Sequence, residues 1–383
     1  MKHGQRSADV LIVGGGIIGA ACAREFSRQG LSVAVIEPGP IGGGATAAAM
    51  GHLLVVDAQG QADDAEFQLT RRGVSLWDDW LAESADHPRI AEHERCGTLW
   101  VAEDAGDMTL AELKYSWLNQ RGIAARMVDA GPLSTLEPLL RPGLFGALLV
   151  PGDARIYAPK VAMRWIQEAR VTHIEGRLSH VDGHAVHLCD GRTLWGAMTV
   201  LCAGLSSQAW LPAGSLIAKK GQLAITQRYP GLLRHQVVEL GYLRKAHLSD
   251  QDSVAFNVQP RPGGQILIGS SRQFAAAGQT PDPAIDLPVL KDMLAHACRF
   301  MPKLAPLNLL RTWTGLRPAS RDGRPLIGAH PEHARLWLAT GHEGLGLTTA
   351  LSTAELLVDL CLQRPTQMVP EPWAPCRFFN TSA

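Results

Sequence analysis

The feature that most constrains this chain is an apolar run, residues 10–13, that breaks into the turn Gly14-x-Gly16-x-x-Gly19. The run reads Val-Leu-Ile-Val, as in a buried strand, and small residues typical of a helix follow the turn. The first glycine permits the sharp turn, the second lets backbone approach a pyrophosphate, and the third lets the helix pack on the strand. The pattern predicts a strand, a turn and a helix whose first N–H groups face a phosphate.

A second apolar run, residues 31–36, ends at Glu37. An acid in this position accepts hydrogen bonds from the ribose hydroxyls of a dinucleotide. Two strands, the helix between them and the acid therefore predict a dinucleotide site. The alternative is a glycine-rich turn in an ordinary α/β protein, which leaves Glu37 without a role.

Composition narrows the class of protein and of partner. A chain of 383 residues is too long for one compact core and suits two domains. Hydrophobic residues make up 46% and charged residues 19%, which favours a large core over disorder. Lys plus Arg and Asp plus Glu number 36 each, so no net charge attracts nucleic acid or anionic lipid. We expect a small-molecule partner and no nucleic acid.

The cysteines and the apolar segments indicate where the protein works. Seven cysteines stand apart without a CxxC pair, which favours a reducing compartment, the cytoplasm, over a disulfide, zinc or iron–sulfur framework. Asp9 interrupts the apolar start, and cleavage of a signal peptide there would destroy the glycine turn. The longest uncharged stretch, residues 194–218, contains Ser, Gln, Pro and Gly and is not predicted to span a bilayer. Any contact with the inner membrane would be through partners.

The segment after Glu37, residues 38–52, is rich in glycine and alanine and has little periodicity. Side chains this small favour a loop against which something large and flat lies. The alternative is a flexible surface linker. Further along, the sequence patterns predict regular structure and hairpin turns at residues 182–183 and 190–191. The predicted helices cover residues 61–83, 108–121, 159–169 and 287–300, and the strands of a mainly antiparallel sheet include residues 223–226, 254–258 and 265–268.

A second strand, glycine-rich turn and helix follows near the end of the chain. Residues 336–340 read as a strand, Gly341-His-Glu-Gly-Leu-Gly346 as the turn, and the helix runs to Leu362. A second helix N-terminus suits a ligand on which negative charge accumulates, such as a reduced flavin ring.

With these motifs in place, the sequence resembles the FAD-dependent amine and amino-acid oxidoreductases of the D-amino acid oxidase group, which includes glycine oxidase and sarcosine oxidase. The resemblance covers most of the chain, and residues 45–52 are most similar to bacterial D-hydroxyproline dehydrogenases. It rests on Val13-Gly-Gly-Gly-Ile-Ile-Gly19, Val200-Leu-Cys-Ala-Gly204, Gly315-Leu-Arg-Pro318, Asp322-Gly-x-Pro325 and Gly341-His-x-Gly-x-Gly346.

The resemblance implies an α/β fold in which a Rossmann-type FAD-binding domain with a parallel sheet is interleaved with an α+β, mainly antiparallel substrate domain. The FAD-binding domain would comprise residues 1–90, 151–213 and 317–383, and the substrate domain residues 91–150 and 214–316. No cysteine stands in a context that matches the covalent flavin attachment of monomeric sarcosine oxidase, so noncovalent FAD is expected.

The resemblance also implies which residues hold FAD: the glycine turn and Glu37 at the pyrophosphate and ribose, residues 45–51 along the flavin, and residues 341–348 near its ring carbonyl. The expected cofactor-binding residues are Gly14, Gly16, Ile17, Ile18, Gly19, Glu37, Ala45, Thr46, Met50, Gly51, Ala203, Gly204, Gly341, His342, Gly344, Leu345, Gly346 and Thr348.

The implied reaction is hydride transfer to flavin from the carbon that bears the amine of a small amino or imino acid, with D-hydroxyproline the best candidate. The product is an imine, and the cofactor carries the redox chemistry. A dehydrogenase would pass electrons to a partner subunit, a quinone or another carrier, whereas an oxidase would reduce oxygen to peroxide. A different alternative is a flavin subunit of an electron-transfer complex that has no substrate of its own.

Three residues are candidates for the catalytic site. Arg317 matches the arginine of the Leu-Arg-Pro motif and would bind the substrate carboxylate with its forked guanidinium, unless it pairs with Asp322. His52 would face substrate or serve as a structural hydrogen-bonding residue. Tyr242 would cover the substrate, or be a sheet tyrosine with a satisfied hydroxyl.

Three further residues bear on the predicted chemistry of this site. Arg272 is a weaker basic candidate, and His342 is expected to shape the flavin environment and not to transfer protons. Glu343 departs from the pattern, because it puts an acid where the compared oxidases carry a neutral residue. Substrate range and oxygen reactivity therefore stay open at this point.

Overall fold

The computed structural model describes residues 7–55, 64–241, 252–276 and 278–379. In these ranges the α-helices are α1 (Ile17–Arg28), α2 (Gly44–Ala48), α3 (Asp64–Ala82), α4 (His87–Ala91), α5 (Ala105–Gln120), α6 (Ala130–Leu136), α7 (Ala158–Ala169), α8 (Leu287–Phe300) and α9 (Gly346–Cys361).

The strands of the first half are β1 (Val10–Val13), β2 (Val33–Glu37), β3 (His52–Leu53), β4 (Thr98–Ala102), β5 (Arg126–Asp129), β6 (Gly146–Val150), β7 (Ala154–Arg155), β8 (Thr172–Glu175), β9 (Leu178–Asp182) and β10 (Ala185–Leu188). Those of the second half are β11 (Thr193–Trp195), β12 (Met198–Leu201), β13 (Leu216–Thr226), β14 (Gln236–Glu239), β15 (Ser253–Pro260), β16 (Ile266–Arg272), β17 (Leu309–Ser320), β18 (Leu326–Ala329) and β19 (Leu336–Thr340).

A six-stranded sheet contains the glycine turn and has the strand order β18-β19-β12-β1-β2-β8. Strand β1 is central and parallel to both neighbours, with Val10 opposite Val33 on one side and Met198 on the other. Strands β8 and β19 extend the parallel part, and β18 is antiparallel. Such strands are buried on both faces and read as continuous apolar runs. The predicted Rossmann-type sheet is confirmed.

An eight-stranded sheet has the order β17-β13-β16-β15-β14-β4-β6-β5. It is antiparallel except where β14 runs parallel to β4, so the predicted mainly antiparallel sheet is confirmed. Helix α8 covers one face, where Phe300 stacks on Phe256 with ring centroids 4.6 Å apart. Its observed bounds match the predicted helix over residues 287–300.

The two faces of this sheet differ in chemistry, because side chains alternate along a strand. Ala224, Val237, Phe256, Val258 and Ile268 point into the apolar core that helix α8 covers. The opposite face carries the residues between them, and we call it the polar face. Its members include Lys219, Gly221, Gln236, Asn257, Gln259, Gly269, Gly315 and Arg317.

The division into two domains remains a proposal. The two large sheets show which strands each proposed domain would contain. Strands within residues 10–37, 172–175, 198–201 and 326–340 build the six-stranded sheet, and strands within residues 98–150 and 216–320 build the eight-stranded sheet. Strands β9, β10 and β11, within residues 178–195, form a separate three-stranded sheet. Strand β17 crosses the proposed boundary at residue 317 and ends at Ser320. None of the described helices is long and apolar enough to cross a membrane.

The glycine turn gives a test of the fold. A Cβ atom at Gly19 would lie 1.9 Å from the carbonyl oxygen of Gly14, which is backbone and cannot move aside cheaply. We expect Gly19→Ala to lower the free energy of unfolding by about 2 kcal/mol, a typical cost of overpacking, and to weaken retention of FAD. Urea unfolding monitored by circular dichroism measures the loss.

Gly131→Ala is the matched control, because position 131 lies in helix α6 with no atom within 4 Å of an added Cβ. Alanine there should be neutral or slightly stabilising. Equal destabilisation by the two substitutions would contradict the steric account of Gly19.

Candidate active site

The predicted pyrophosphate residues come together at the carboxyl end of strand β1. Gly14 has a φ of +110°, and a Cβ there would lie 2.4 Å from the carbonyl oxygen of Cys202. The end of strand β12 therefore packs directly on the glycine turn, which brings Ala203 and Gly204 beside it. Close contact of this kind requires glycine, and the sequence prediction included all of these residues.

Glu37 is held by the backbone of the turn. Its Oε2 accepts a hydrogen bond from the N–H of Gly15 at 2.7 Å, and its Oε1 accepts one from Gly39 at 3.0 Å. Each carboxylate oxygen has a second lone pair. These two hydrogen bonds hold the carboxylate against the turn, and its remaining lone pairs could accept hydrogen bonds from ribose hydroxyls.

The start of helix α1 receives a contact that the sequence prediction missed. Thr46, buried in helix α2, accepts a hydrogen bond from the N–H of Ile17 at 3.0 Å through its hydroxyl. Gly16 at the N-cap supplies no side-chain cap. The hydroxyl of Thr46 can donate its own hydrogen to a phosphate at this helix start. Ile18 packs against the core beside it.

The second predicted helix start is also without a side-chain cap from its own N-cap residue, Leu345. Its N–H groups can therefore interact with a ligand oxygen. Gly341 has a φ of +80°, and Gly344 and Gly346 follow it in the turn. The hydroxyl of Thr348 accepts a hydrogen bond from the N–H of Leu54 at 3.3 Å, so it ties helix α9 to strand β3.

His342 is fully enclosed in this turn. Its Nε2 lies 3.0 Å from the hydroxyl of Thr353, and burial lowers its pKa to about 3. The imidazole is neutral at physiological pH because a buried charge lacks solvation. The expected role of His342, shaping the flavin environment without transferring protons, stays a prediction.

An open cleft of about 720 Å³ lies beside Glu37 and involves residues that the sequence reasoning missed. It lies at the carboxyl ends of strands β2 and β8, where nucleotides bind in open parallel sheets. These residues come together only because strand β8 pairs with strand β2 in the structure. A prediction of that pairing would have been needed to find the cleft. Its lining residues are Pro38, His173, Ile174, Glu175, Gly176, Arg177, Asp190 and Arg192.

The segment of residues 45–52, which the sequence predicted as a loop, contains most of helix α2 and the first residue of strand β3, and it crosses the polar face at close range. A Cβ at Gly315 would lie 2.3 Å from the Cβ of Ala48, and one at Gly269 would lie 3.1 Å from the sulfur of Met50. Gly51, with a φ of +94°, accepts a hydrogen bond from Ile156 at 2.8 Å. Ala45 is exposed. The segment is thus packed in place and is not a flexible linker.

Arg317 lies on the polar face opposite Lys219 of strand β13. Its guanidinium sits over Gly221, where a Cβ would approach it to 2.5 Å, and Nη1 donates to the carbonyl oxygen of Ser271 at 3.3 Å. The alternative pairing with Asp322 is not formed, because that acid pairs with Arg377 at 2.7 Å.

Near Arg317, Glu343 forms ion pairs with two further cationic side chains. Its carboxylate lies 3.0 Å from Nζ of Lys219 and 3.0 Å from a guanidinium nitrogen of Arg272. Burial alone would raise the pKa of Glu343, but Arg272 and Lys219, with Arg317 further away, hold it below the usual value. The acid that departs from the oxidase pattern is therefore ionised and paired.

His52 lies at the other end of the segment, on the polar face. Its Nδ1 contacts Oε1 of Gln236, and its Nε2 lies 3.1 Å from the side-chain oxygen of Asn257. The sequence reasoning missed both amides. The third predicted residue, Tyr242, lies outside the described residues, so its covering role stays a prediction.

Comparisons with known proteins agree with this geometry. Residues 9–360 match the family described as DAO, FAD dependent oxidoreductase. The chain is 27% identical to hydrogen cyanide synthase subunit HcnC of Pseudomonas aeruginosa, with 97% of each chain covered. It is 26% identical to glycine oxidase of Geobacillus kaustophilus, with 94% of each chain covered. The crystal structure of glycine oxidase from Geobacillus kaustophilus superimposes with a TM-score of 0.84 at 24% identity, covering 97% of this chain and 98% of that one.

The chain therefore belongs to the DAO family of FAD-dependent oxidoreductases, in the group that contains glycine oxidase. It is an FAD-dependent enzyme, and the described turn, acid and helix starts fit the cofactor.

The buried ion cluster gives a second test. We expect Glu343→Gln to lower the free energy of unfolding by about 3 kcal/mol, because it leaves Lys219 and Arg272 with an uncompensated partly buried charge. The lowered pKa of Glu343 means that its contribution is complete above the usual carboxyl range and is lost as the pH falls through the folded-state pKa. The difference from wild type should therefore shrink in acid.

The control is Asp78→Asn, which breaks an ion pair whose two side chains are 44% and 45% exposed. Its cost should stay within about 1 kcal/mol at neutral pH. Urea unfolding across a pH series compares the two variants. A Glu343→Gln loss no larger than that of the control would show that the buried cluster stabilises the fold no more than an exposed ion pair does.

Proposed function

We propose that this protein oxidises a small amino or imino acid to its imine, and that a cyclic secondary amine such as D-hydroxyproline is its substrate. The observation that carries the proposal is the position of Arg317 on the polar face, two residues from the contact between Gly315 and Ala48. Relatives named glycine oxidase support an amino-acid substrate. The resemblance of residues 45–52 to D-hydroxyproline dehydrogenases supports the narrower choice.

The chain's own groups would bind and orient the substrate. FAD, when bound, accepts the hydride. Arg317 would bind the substrate carboxylate through its forked guanidinium, while Lys219 and Arg272 are engaged by Glu343. With one carboxylate held, the carbon that bears the amine is restricted to a short arc along the polar face, and orientation of this kind supplies much of the catalysis.

The electron acceptor is proposed to be a partner subunit or another carrier, as in a dehydrogenase. The support is that HcnC relatives in two Pseudomonas species are named as subunits of hydrogen cyanide synthase. The glycine oxidase relatives favour a second candidate, an oxidase that reduces oxygen to peroxide. A flavin subunit without substrate chemistry would need no carboxylate anchor. The position of Arg317 therefore favours an enzyme over such a subunit.

We further propose noncovalent FAD and a cytoplasmic location. All seven cysteines are free thiols, as is usual in a reducing compartment. Any association with the inner membrane would depend on a partner.

The visible spectrum of the purified protein tests the function directly. We expect flavin absorption that bleaches under anaerobic conditions with D-hydroxyproline or a related imino acid, because hydride transfer reduces the flavin. Release of the flavin on denaturation would verify noncovalent binding. A protein that cannot be reconstituted with FAD would refute the proposal, and bleaching by glycine alone would replace the cyclic amine with glycine as the substrate. Rapid reoxidation of the reduced flavin by oxygen, with release of peroxide, would favour the second candidate.

Two substitutions test the carboxylate anchor. Arg317→Met should lower kcat/KM roughly 100-fold, because a charge-assisted hydrogen-bonded contact is worth about 3 kcal/mol. Gly221→Ala should also raise KM, since its methyl group would displace the guanidinium, which is the flexible end of a side chain. Steady-state kinetics and urea unfolding measure both.

Gly131→Ala again serves as the control, since an added Cβ there meets nothing. Gly221→Ala should retain FAD and nearly all of its stability. Unchanged kinetics in both site variants would remove Arg317 from the site.

A further inference from the structure

A row of buried amide side chains connects His52 to an ion pair. The guanidinium of Arg261 donates to Glu92 Oε2 at 2.9 Å and to Gln259 Oε1 at 3.1 Å. Gln259 Nε2 then donates to Gln236 Oε1 at 2.9 Å, and this same oxygen contacts Nδ1 of His52. Both glutamines are completely buried, so each needs its hydrogen bonds satisfied within the protein.

The orientation of the two glutamine amides is fixed by a group at each end that can only donate or only accept a hydrogen bond. Arg261 can only donate, so Gln259 must turn its oxygen toward the guanidinium and its NH₂ toward Gln236. A backbone carbonyl can only accept, and Gln236 Nε2 lies 3.2 Å from the carbonyl oxygen of Ala154. Both constraints make Gln236 present its oxygen to His52.

We propose that Gln236 and Gln259 are positioning residues that keep the proton of neutral His52 on Nδ1. An oxygen acceptor against Nδ1 requires an N–H there. The competing arrangement has Nδ1 accept from Gln259 Nε2, which is 3.3 Å away. That arrangement would point the ring lone pair at the nearer oxygen of Gln236, and two facing lone pairs are unfavourable in a buried site.

The other ring nitrogen, Nε2, is then the proton-accepting atom of His52. It faces the side-chain amide of Asn257 at 3.1 Å. Within the described part of the chain, that amide makes no other side-chain hydrogen bond, so it can turn either end to the ring. Its NH₂ would donate to neutral Nε2, and its oxygen would accept from protonated Nε2. His52 can therefore keep this hydrogen bond in either protonation state. Asn257 turns aside while the substrate nitrogen faces Nε2, because that ring nitrogen has one lone pair.

The use of this proton site rests on the proposed function. An amino acid reaches the enzyme mainly as an ammonium ion, and its carbon cannot release hydride readily until the nitrogen has a lone pair. One N–H bond of the substrate breaks, the proton bonds to Nε2 to form an imidazolium, and the electron pair stays on the substrate nitrogen. Solvent later takes the proton from the imidazolium.

The test is the ¹⁵N NMR spectrum of the FAD-loaded protein labelled at its histidines, with His52→Gln used to assign the resonance. At about pH 8.5, two units above the usual imidazole pKa, we expect Nδ1 of His52 to be pyrrole-like and Nε2 pyridine-like. Gln236→Leu removes the acceptor and should shift the population toward the Nε2–H form. Gln236→Glu keeps an acceptor oxygen and should retain the wild-type tautomer.

Gln222→Leu is the matched control. Gln222 is a fully buried glutamine of the same sheet, but its amide contacts Gln273 and Asp286. It should lose stability without any change in the His52 signal. Steady-state kinetics should show a fall in kcat for Gln236→Leu that Gln236→Glu partly restores.

A wild-type His52 with its proton on Nε2 or on both nitrogens would overturn the proposal, as would an unchanged tautomer in Gln236→Leu. The wild-type spectrum needs no variant to fold and no substrate to react. A protein that oxidises no amino acid but shows the Nδ1–H form would refute the function and leave the tautomer assignment intact.

Discussion

The close packing of residues 45–52 against the polar face is the constraint on which the rest of the site depends. Three glycines on that face, Gly221, Gly269 and Gly315, lie on the adjacent strands β13, β16 and β17. Glycine weakens a strand, and its presence marks a place where something approaches closely. Here the approaching groups are the guanidinium of Arg317 at Gly221, the side chains of Leu223 and Met50 at Gly269, and the Cβ of Ala48 at Gly315.

These glycines let the segment of residues 45–52, which follows strand β2 of the six-stranded sheet, lie directly on the eight-stranded sheet. The segment is joined to the start of helix α1 by the hydrogen bond from the N–H of Ile17 to Thr46. It then crosses the polar face and ends at strand β3, which pairs with β7. Its two ends are therefore attached to the structure that surrounds the glycine turn. A displacement of the segment would move His52 relative to Arg317, the two proposed substrate-site residues.

Local signals in the sequence predicted several elements well. Helix α8 was predicted to the residue, because the side chain of Asp286 caps it and a proline follows in the first turn. The glycine turn and Glu37 were likewise readable, since a strand, a turn and an acid lie within thirty residues of each other. Helix boundaries elsewhere shifted by a few residues: α5 begins at Ala105, directly after its cap Asp104, and not at the predicted Met108.

Non-local pairing could not be predicted in this way. Strands β14 and β17 were not predicted, because β17 contains Gly315 and Pro318 and is formed by pairing with β13, far away in sequence. Arg317 was found through the resemblance, but the glycine beneath it depends on the register of that pairing. The amides Gln236, Asn257 and Gln259 read as ordinary strand residues, and only their shared face shows that they surround His52.

Neighbouring residues in the second glycine-rich turn show why charge cannot be inferred from position alone. His342 and Glu343 are adjacent and both are largely buried. Burial without a charged partner keeps His342 neutral, whereas two cations keep Glu343 ionised. With a neutral residue at 343, Lys219 and Arg272 would compete with Arg317 for the same substrate carboxylate. The acid restrains both competitors, which suits a site that binds one carboxylate at one place.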